Sequence, residues 1–164
     1  MTSEQLFYDK KTGFDKLTGS DKKNIQTYAE GYKQFLNEGK TERDAVREIV
    51  RLAEDKGFRA WTPGDAAKPG DKVYFVNRGK GITLAVIGKK SLADGVRLTA
   101  AHLDAPRVDI RTVPLYEDNG MAFFKTHYYG GIKKYQWTAI PLELRGVVCV
   151  CHNGQVKSVD VRIG

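Results

Sequence analysis

The sequence is poor in cysteine. Among 164 residues there are only two, Cys149 and Cys151. Residues two apart on a strand point the same way but cannot be joined by a disulfide without distorting the backbone, and a Cys-x-Cys without a second cysteine pair is weak support for a metal site. These features argue against a disulfide-stabilised secreted scaffold. We expect both thiols to be reduced and buried.

Long apolar runs are also missing. No stretch approaches the roughly 18 apolar residues that a membrane helix needs, and residues 1–11 are mixed and polar instead of forming a charged leader followed by an apolar core. Apolar residues make up 41% of the chain and the mean hydropathy is −0.46, as in ordinary globular proteins. Together with the reduced thiols, these absences predict a cytoplasmic protein that does not bind membranes.

Acidic residues are outnumbered, but no region is strongly basic. The 27 Lys and Arg residues stand among 20 Asp and Glu residues, which gives a net charge of +7 and a pI near 9.4. Because basic runs are short, a solvated surface explains the excess better than a nucleic-acid footprint. The alternative is a basic, β-rich binding module without catalysis, in which Lys133–Trp137 would contact single-stranded nucleic acid or an anionic surface. Nucleic acid is the less favoured partner.

A helical pair is predicted over residues 20–57, after an irregular lead-in formed by residues 1–18. The first helix, at about 22–37, carries apolar residues three and four positions apart, which would form one buried stripe. Ser20 or Asp21 is the expected N-cap, because short polar side chains there accept hydrogen bonds from free N–H groups of the first turn.

The second helix of the pair has clearer end signals. Thr41 precedes Asp44 by three residues, as in a capping box, where each side chain accepts a hydrogen bond from the other residue's backbone N–H. Apolar residues then follow at helical spacing until Gly57 ends the pattern. These apolar residues are Ala45, Val46, Ile49, Val50, Leu52 and Ala53.

From residue 72 to residue 164 the pattern is that of strands joined by tight turns. Asn153-Gly154 is the strongest hairpin signal, and Gly79–Gly81 and Pro114–Gly120 are expected to be further turns. The almost wholly apolar strand 82–87 is predicted to be central, with both faces covered. The predicted strands are 72–77, 82–87, 96–101, 107–113, 121–126, 142–151 and 156–163. This order predicts an α/β domain in which the N-terminal helical pair packs on a largely antiparallel sheet.

The candidate functional site is a His-x-Asp pair at the end of the predicted strand 96–101. His102 and Asp104 follow that strand, and Pro106 then stops ladder pairing. Residues two apart in an extended chain share a face, so Asp104 can accept a hydrogen bond from one imidazole nitrogen, fix the tautomer and leave the other nitrogen free for a metal. From these residues alone, a surface pair without a metal is the alternative.

Around this pair the sequence resembles a known family. Residues 101–107, A-H-L-D-A-P-R, resemble the S-H-T-D-S-P-R motif of the aspartyl aminopeptidase family of zinc metallopeptidases. Residues 128–137 are similar to the Tyr-Gly-Gly-Ile stretch that follows in that family, and the likeness covers nearly the whole chain in order. Leu103 and Ala105 lack the hydroxyl groups of the usual Thr and Ser, and Gly130-Gly131 stands where three glycines are usual.

The resemblance implies a peptidase with two zinc ions, in which His102 is a metal ligand and Asp104 is the catalytic carboxylate that orients its ring. In the family, the other Asp, Glu and His ligands and a Glu general base come later in the sequence, beyond Gly164. The chain would be the N-terminal portion of the catalytic domain, an incomplete part that ends near the point where an oligomerisation domain is inserted.

The resemblance also implies a substrate and an assembly. The full-length enzyme would be a homo-oligomer that releases N-terminal residues from peptides, acidic ones by the family name, and the 164-residue chain alone would be inactive. No substrate-binding residue is assigned. His127 is predicted to be a polar residue at a strand end, with a contact to substrate as the alternative.

Overall fold

The computed structural model describes residues 11–164, which fall into two units. The predicted lead-in lies partly outside the described residues, at 1–10, and its remainder contains a short 3-10 helix at Phe14–Lys16. The first unit, which ends at Glu38, otherwise holds helix α1 (Gly19–Glu38). The second unit, Gly39–Gly164, holds the other described helices and the strands.

Helix α1 begins earlier than the sequence indicates. The Thr18 hydroxyl accepts a hydrogen bond from the Asp21 backbone N–H at 3.2 Å, and the Asp21 carboxylate accepts one from the Thr18 N–H at 3.0 Å. Thr18 is thus the N-cap in place of Ser20 or Asp21, because reciprocal capping needs a hydroxyl three residues before the acid. No residue of α1 is buried. The predicted buried stripe is therefore wrong, since the described part of its own unit offers no second surface.

Helix α2 (Glu42–Asp55) carries most of the buried apolar side chains. Its capping box is confirmed: the Thr41 hydroxyl and the Asp44 carboxylate each accept a hydrogen bond from the other residue's backbone N–H at 3.2 Å. Gly57 follows with a φ of 80°, as expected for a residue that ends a helix. The helix packs on the first sheet, and their shared core consists of Ala45, Val46, Ala53, Val73 and Tyr74.

The first sheet contains β1 (Arg59–Ala60), β2 (Lys72–Asn77) and β3 (Gly81–Val86), in that order. β2 has its predicted bounds and pairs antiparallel with β3, whereas the short β1, which the sequence does not indicate, pairs parallel with β2. The turn is centred on Arg78 and Gly79, both with positive φ. β3 lies at a sheet edge and has no buried residue. The prediction of a central, doubly covered strand is wrong because, within residues 11–164, β3 has a neighbour on one side only.

The second sheet is the hairpin of β4 (Arg107–Asp118) and β5 (Met121–Tyr129). Both strands are longer than predicted, and Pro114 lies inside β4. The strand register shifts around this proline, so a residue without an N–H occupies a place where ladder bonds are interrupted. The predicted turn beginning at Pro114 is therefore wrong, and the chain reverses at Asn119-Gly120, both with positive φ.

The predicted strand before the His-x-Asp pair is not formed. Residues 96–106 have neither helical nor strand structure, and Leu98 is 83% exposed. A strand needs backbone hydrogen bonds to a neighbour, and none of the described residues pairs with this segment. The expectation of a strand ending at His102 is therefore wrong, although β4 begins directly after Pro106.

The third sheet is the hairpin of β6 (Leu144–His152) and β7 (Gln155–Ile163), which follows the one-turn helix α3 (Lys134–Trp137). Its turn at Asn153-Gly154 is confirmed, with φ of 50° and 77°. Two residues with positive φ give the backbone twist that matches the twist of the flanking strands.

Cys149 and Cys151 lie in β6 and are free thiols, but both are exposed. The prediction that they are buried is wrong. No residue of β6 or β7 is fully buried, because a hairpin of two strands has two open faces unless another layer covers it.

Ion pairs join α2 to the β4–β5 and β6–β7 hairpins. They are Arg107–Glu42 at 3.1 Å, Arg47–Asp160 at 3.2 Å and Arg145–Asp44 at 3.7 Å. The architecture is mixed α/β, with two main helices and largely antiparallel strands, which confirms the predicted fold class. In the part of the chain that the structure describes, three small sheets replace the single predicted one. No helix of residues 11–164 is long and apolar enough to cross a membrane.

Candidate metal centre

His102 lies in the irregular segment before β4, and its side chain is 79% exposed. Its Nδ1 atom is 2.6 Å from the backbone carbonyl oxygen of Asp104 and 3.3 Å from Oδ1 of the same residue. The predicted contact between the two residues is present, but the backbone oxygen is the closer acceptor. Both acceptors favour the tautomer that carries its proton on Nδ1.

This tautomer leaves the Nε2 lone pair of His102 available. Within residues 11–164, Nε2 has no hydrogen-bond partner. A histidine that binds zinc through one nitrogen usually donates a hydrogen bond from the other to a carbonyl or carboxylate oxygen. His102 therefore fits a zinc ligand by its donor type, its tautomer and its exposure.

Asp104 is fixed from its other side by a tyrosine. The Tyr129 hydroxyl donates a hydrogen bond to Asp104 Oδ2 at 2.9 Å. This bond is the main cause that holds the pKa of Asp104 below its ordinary value; its own backbone N–H and the nearby His102 and Arg107 lower it further. The same bond raises the pKa of Tyr129. At neutral pH the carboxylate is therefore ionised and the phenol is neutral, which sets the direction of the hydrogen bond.

Arg107 in turn holds the ring of Tyr129. The two residues are partners across the β4–β5 hairpin, and the guanidinium carbon lies 4.2 Å from the ring centroid, within the range of a cation–π interaction. The guanidinium also contacts Asp109 at 2.7 Å and Glu42 of α2 at 3.1 Å. The tyrosine is thus connected to the helix that carries most of the core.

Gly130 brings the second resembling motif against the first. It has a φ of 73°, and a Cβ at this position would lie 3.4 Å from the Cα of Pro106. The backbone conformation disfavours a side chain, and the residue packs directly against Pro106. Gly131 has no neighbour within the same range. The first of the two glycines is therefore the one that allows Tyr129 to approach the segment of His102.

Other candidate residues do not contact His102 or Asp104 in the described part of the chain. His127 lies inside β5, opposite Asp109 of β4, and stacks on Tyr128 with ring centroids 5.3 Å apart. The prediction that His127 ends a strand is therefore wrong. In the basic stretch, Lys134 Nζ lies 3.8 Å from the centroid of Tyr128. No group of three or more His, Cys, Asp or Glu side chains within residues 11–164 is placed to hold a metal ion. His102 is therefore a single candidate ligand in the described part of the chain.

The sequence assigns no role to Tyr129, Arg107 or Glu42. The tyrosine stands 25 residues from Asp104, and Glu42 belongs to a helix far from the motif in sequence. The contact between Tyr129 and Asp104 could be inferred only from the pairing of residue 107 with residue 129. The sequence of either strand alone does not reveal this register.

Comparison with known proteins identifies the class of protein. Residues 35–163 match the family model of the Aminopeptidase I zinc metalloprotease (M18). The match covers most of the chain and includes both motifs of the site. The chain therefore belongs to the M18 family of zinc metallopeptidases, the family to which aspartyl aminopeptidases belong, and the resemblance in the sequence is confirmed.

Individual relatives agree with this assignment. A probable M18 family aminopeptidase 1 of Clostridium acetobutylicum is 41% identical over 160 residues, which cover 95% of this chain and 34% of the relative. The corresponding protein of Thermotoga maritima is 43% identical, over 87% of this chain and 31% of its own length. The crystal structure of aminopeptidase I from Borrelia burgdorferi matches with a TM-score of 0.85 and 36% identity, over 94% of this chain and 37% of that one. The chain spans about a third of the length of the curated relatives it matches.

Proposed function

We propose that the chain is the N-terminal portion of a zinc-dependent aminopeptidase that releases N-terminal residues from peptides. The observation that carries this proposal is the state of His102, whose Nδ1 is engaged by Asp104 at 2.6 Å while Nε2 has no partner within residues 11–164. Membership of a zinc metalloprotease family supplies the metal that such an imidazole would bind.

In this proposal, Nε2 of His102 would hold zinc. A bound zinc ion polarises the peptide carbonyl and activates a water molecule. The carbonyl oxygen of Asp104 keeps the proton on Nδ1, and the carboxylate adds a negative charge 3.3 Å from that nitrogen. Together they make Nε2 a more basic ligand.

The proposal requires residues beyond this chain. A catalytic zinc takes about three protein ligands and a water molecule, whereas only His102 in the described part matches the ligand set of the resembled family. We propose that the other ligands, the second zinc ion and a glutamate base belong to the part of the relatives that this chain does not span. We also propose that the full-length enzyme is a cytoplasmic homo-oligomer.

No observation favours the nucleic-acid alternative. Lys134 of the basic stretch is engaged with Tyr128 at 3.8 Å, and α3, which contains Trp137, is a single turn. These contacts do not form the extended basic groove with stacking platforms that binders of single-stranded nucleic acid use.

The test is a chimera, named here the Clostridium chimera, in which this chain replaces the 160 matched residues of the Clostridium acetobutylicum relative. Zinc content is measured by atomic absorption, and activity is measured on aminoacyl substrates with acidic, basic and apolar N-terminal residues. We expect zinc binding and N-terminal cleavage that chelators abolish. The 164-residue chain alone should bind zinc weakly and cleave nothing, since one imidazole gives little affinity.

The matched variant is His102→Ala in the same chimera. Loss of a ligand should nearly abolish activity and reduce the zinc content, while His127→Ala should leave zinc binding unchanged because, among residues 11–164, the ring of His127 stacks on Tyr128 and does not contact His102 or Asp104. Full activity and metal content after His102→Ala would overturn the proposal, as would chelator-sensitive peptidase activity in the 164-residue chain alone.

A further inference from the structure

The carboxylate of Asp104 is held from two sides. Oδ1 lies 3.3 Å from Nδ1 of His102, and Oδ2 accepts the hydrogen bond of the Tyr129 hydroxyl at 2.9 Å. The side chain of Asp104 is 35% exposed, so without the hydroxyl the carboxylate could rotate into water. The nearby Leu103 and Ala105 have no hydroxyl that could take over this bond.

We propose that Tyr129 is a positioning residue that holds the Asp104 carboxylate against the ring of His102 and thereby strengthens the zinc ligand. The inference rests on the proposed function. Tyr129 itself does not contact the metal or the substrate in this proposal; it acts through the carboxylate. Its effect should therefore appear first in the affinity for zinc.

Contacts with neighbouring residues hold Tyr129 in place. Its ring lies 4.2 Å from the guanidinium carbon of Arg107, and Arg107 is fixed by Asp109 at 2.7 Å and by Glu42 at 3.1 Å. The positive φ and close packing of Gly130 against Pro106 bring the end of β5 to the segment that carries Asp104. A surface tyrosine with an incidental hydrogen bond would not need this support.

The two oxygen atoms of Asp104 near Nδ1 of His102 lie at different distances and have different effects on the ring. The backbone carbonyl at 2.6 Å keeps the tautomer whatever happens to the carboxylate. The carboxylate supplies the charge that raises the basicity of the ligand, and Tyr129 keeps that charge 3.3 Å from the ring. Removal of the hydroxyl should therefore weaken zinc binding without removing the ligand.

The test is Tyr129→Phe in the Clostridium chimera, because this change removes the hydroxyl and retains the ring over Arg107. Zinc affinity is measured by competition with a chelator. We expect it to fall roughly tenfold, at the lower end of changes around metal ligands. With zinc in excess, kcat should fall while KM stays constant, and the visible spectrum of the cobalt-substituted protein should shift. The matched control is Tyr128→Phe, since Tyr128 is the adjacent tyrosine and contacts Lys134 in place of Asp104.

A double-mutant cycle separates positioning from simple support of the fold. If Tyr129 acts through the carboxylate, Tyr129→Phe should cost nothing further once Asp104→Ala is present; a residue that only stabilises the hairpin would cost the same in both backgrounds. Additive effects, or unchanged zinc affinity in Tyr129→Phe, would overturn the inference while the parent chimera remains an active zinc enzyme. A parent chimera without zinc or activity would instead overturn the proposed function, and this inference with it.

Discussion

At the scale of single residues, the closer acceptor of the His102 proton is a backbone oxygen, and this changes what a mutation of Asp104 reports. The carbonyl at 2.6 Å belongs to the main chain and survives any side-chain change. The carboxylate at 3.3 Å contributes charge more than orientation. A variant that keeps the shape of Asp104 and removes its charge therefore isolates its electrostatic contribution to the proposed metal ligand His102.

We accordingly expect the Asp104→Asn variant of the Clostridium chimera to bind zinc still. Its zinc affinity and its kcat should each fall roughly ten- to a hundredfold, as changes to partners of metal ligands typically cause. His102→Ala should cost far more. Chelator competition and steady-state kinetics measure both. Equal losses in the two variants would show that Asp104 is itself a ligand or is needed for folding.

The His-x-Asp pair could be predicted because its geometry is local. Residues two apart in sequence stay close whatever the rest of the fold does, and His102 contacts both the backbone and the side chain of Asp104 although the predicted strand is not formed. Tyr129 could not be predicted in the same way. Its contact with Asp104 depends on the register of a hairpin that contains an irregularity at Pro114, and the sequence places a turn there.

At the scale of elements, end signals carry more information than apolar content. The Thr41–Asp44 capping box and the Asn153-Gly154 turn fix a helix start and a hairpin through local hydrogen bonds and φ angles. The strand predicted at 96–101 and the central place predicted for β3 rest on apolar residues alone. Both predictions fail because a strand is defined by its neighbours, and the described residues supply none for the first and only one for the second.

The start of the third hairpin carries a pH-dependent contribution to stability. Glu143 accepts hydrogen bonds from Arg145 at 2.7 Å and from Arg162 of β7 at 2.8 Å. The bond from Arg145, followed by that from Arg162, lowers the pKa of Glu143 below its ordinary value. Because the folded-state pKa is lowered, this contribution is complete above the ordinary glutamate pKa of about 4.3 and is lost as the pH falls through the lowered pKa.

We therefore expect the urea midpoint of the 164-residue chain to fall more steeply between about pH 5 and pH 3 than that of Glu143→Gln, which keeps an acceptor but cannot be protonated in this range. The midpoints are measured by circular dichroism at each pH. The matched control is Glu38→Gln, because Glu38 forms no ion pair with the other described residues; its curve should follow the unmodified chain. Parallel curves for all three proteins would contradict the assignment.

At the scale of the whole molecule, the sequence predicts which residues are apolar but not which are covered. The apolar residues do follow the spacing on which the predicted stripes rest, and the two thiols do lie in a strand. Only five apolar residues of the described part are nevertheless buried. Burial depends on partner surfaces, and this chain spans about a third of its relatives' length. The cysteines of β6 and the apolar strand β3 illustrate this: composition predicts that they lie inside, whereas in the described part of the chain both cysteines are exposed and no residue of β3 is buried.

The exposed apolar side chains lead to a prediction about the 164-residue chain on its own. No residue of β5 is buried, and a two-stranded sheet is marginally stable in water. Exposed apolar side chains of this size mark surfaces that other protein covers; on the β4–β5 hairpin they include Val113, Leu115, Met121 and Phe124. We expect the 164-residue chain to bind an uncharged apolar dye such as Nile red and to unfold at a lower urea concentration than the Clostridium chimera.

The chimera should bind several-fold less dye per molecule, since the rest of the relative would cover part of this surface. Phe124→Ser should lower dye binding by the 164-residue chain, whereas Lys125→Ser, at the adjacent position of β5, should not, because its change removes a cation and little apolar area. Dye fluorescence and urea unfolding, measured on both proteins under one set of conditions, provide the comparison. A 164-residue chain that binds no dye and unfolds at the same urea concentration as the chimera would show that the hairpin is stable without a covering layer.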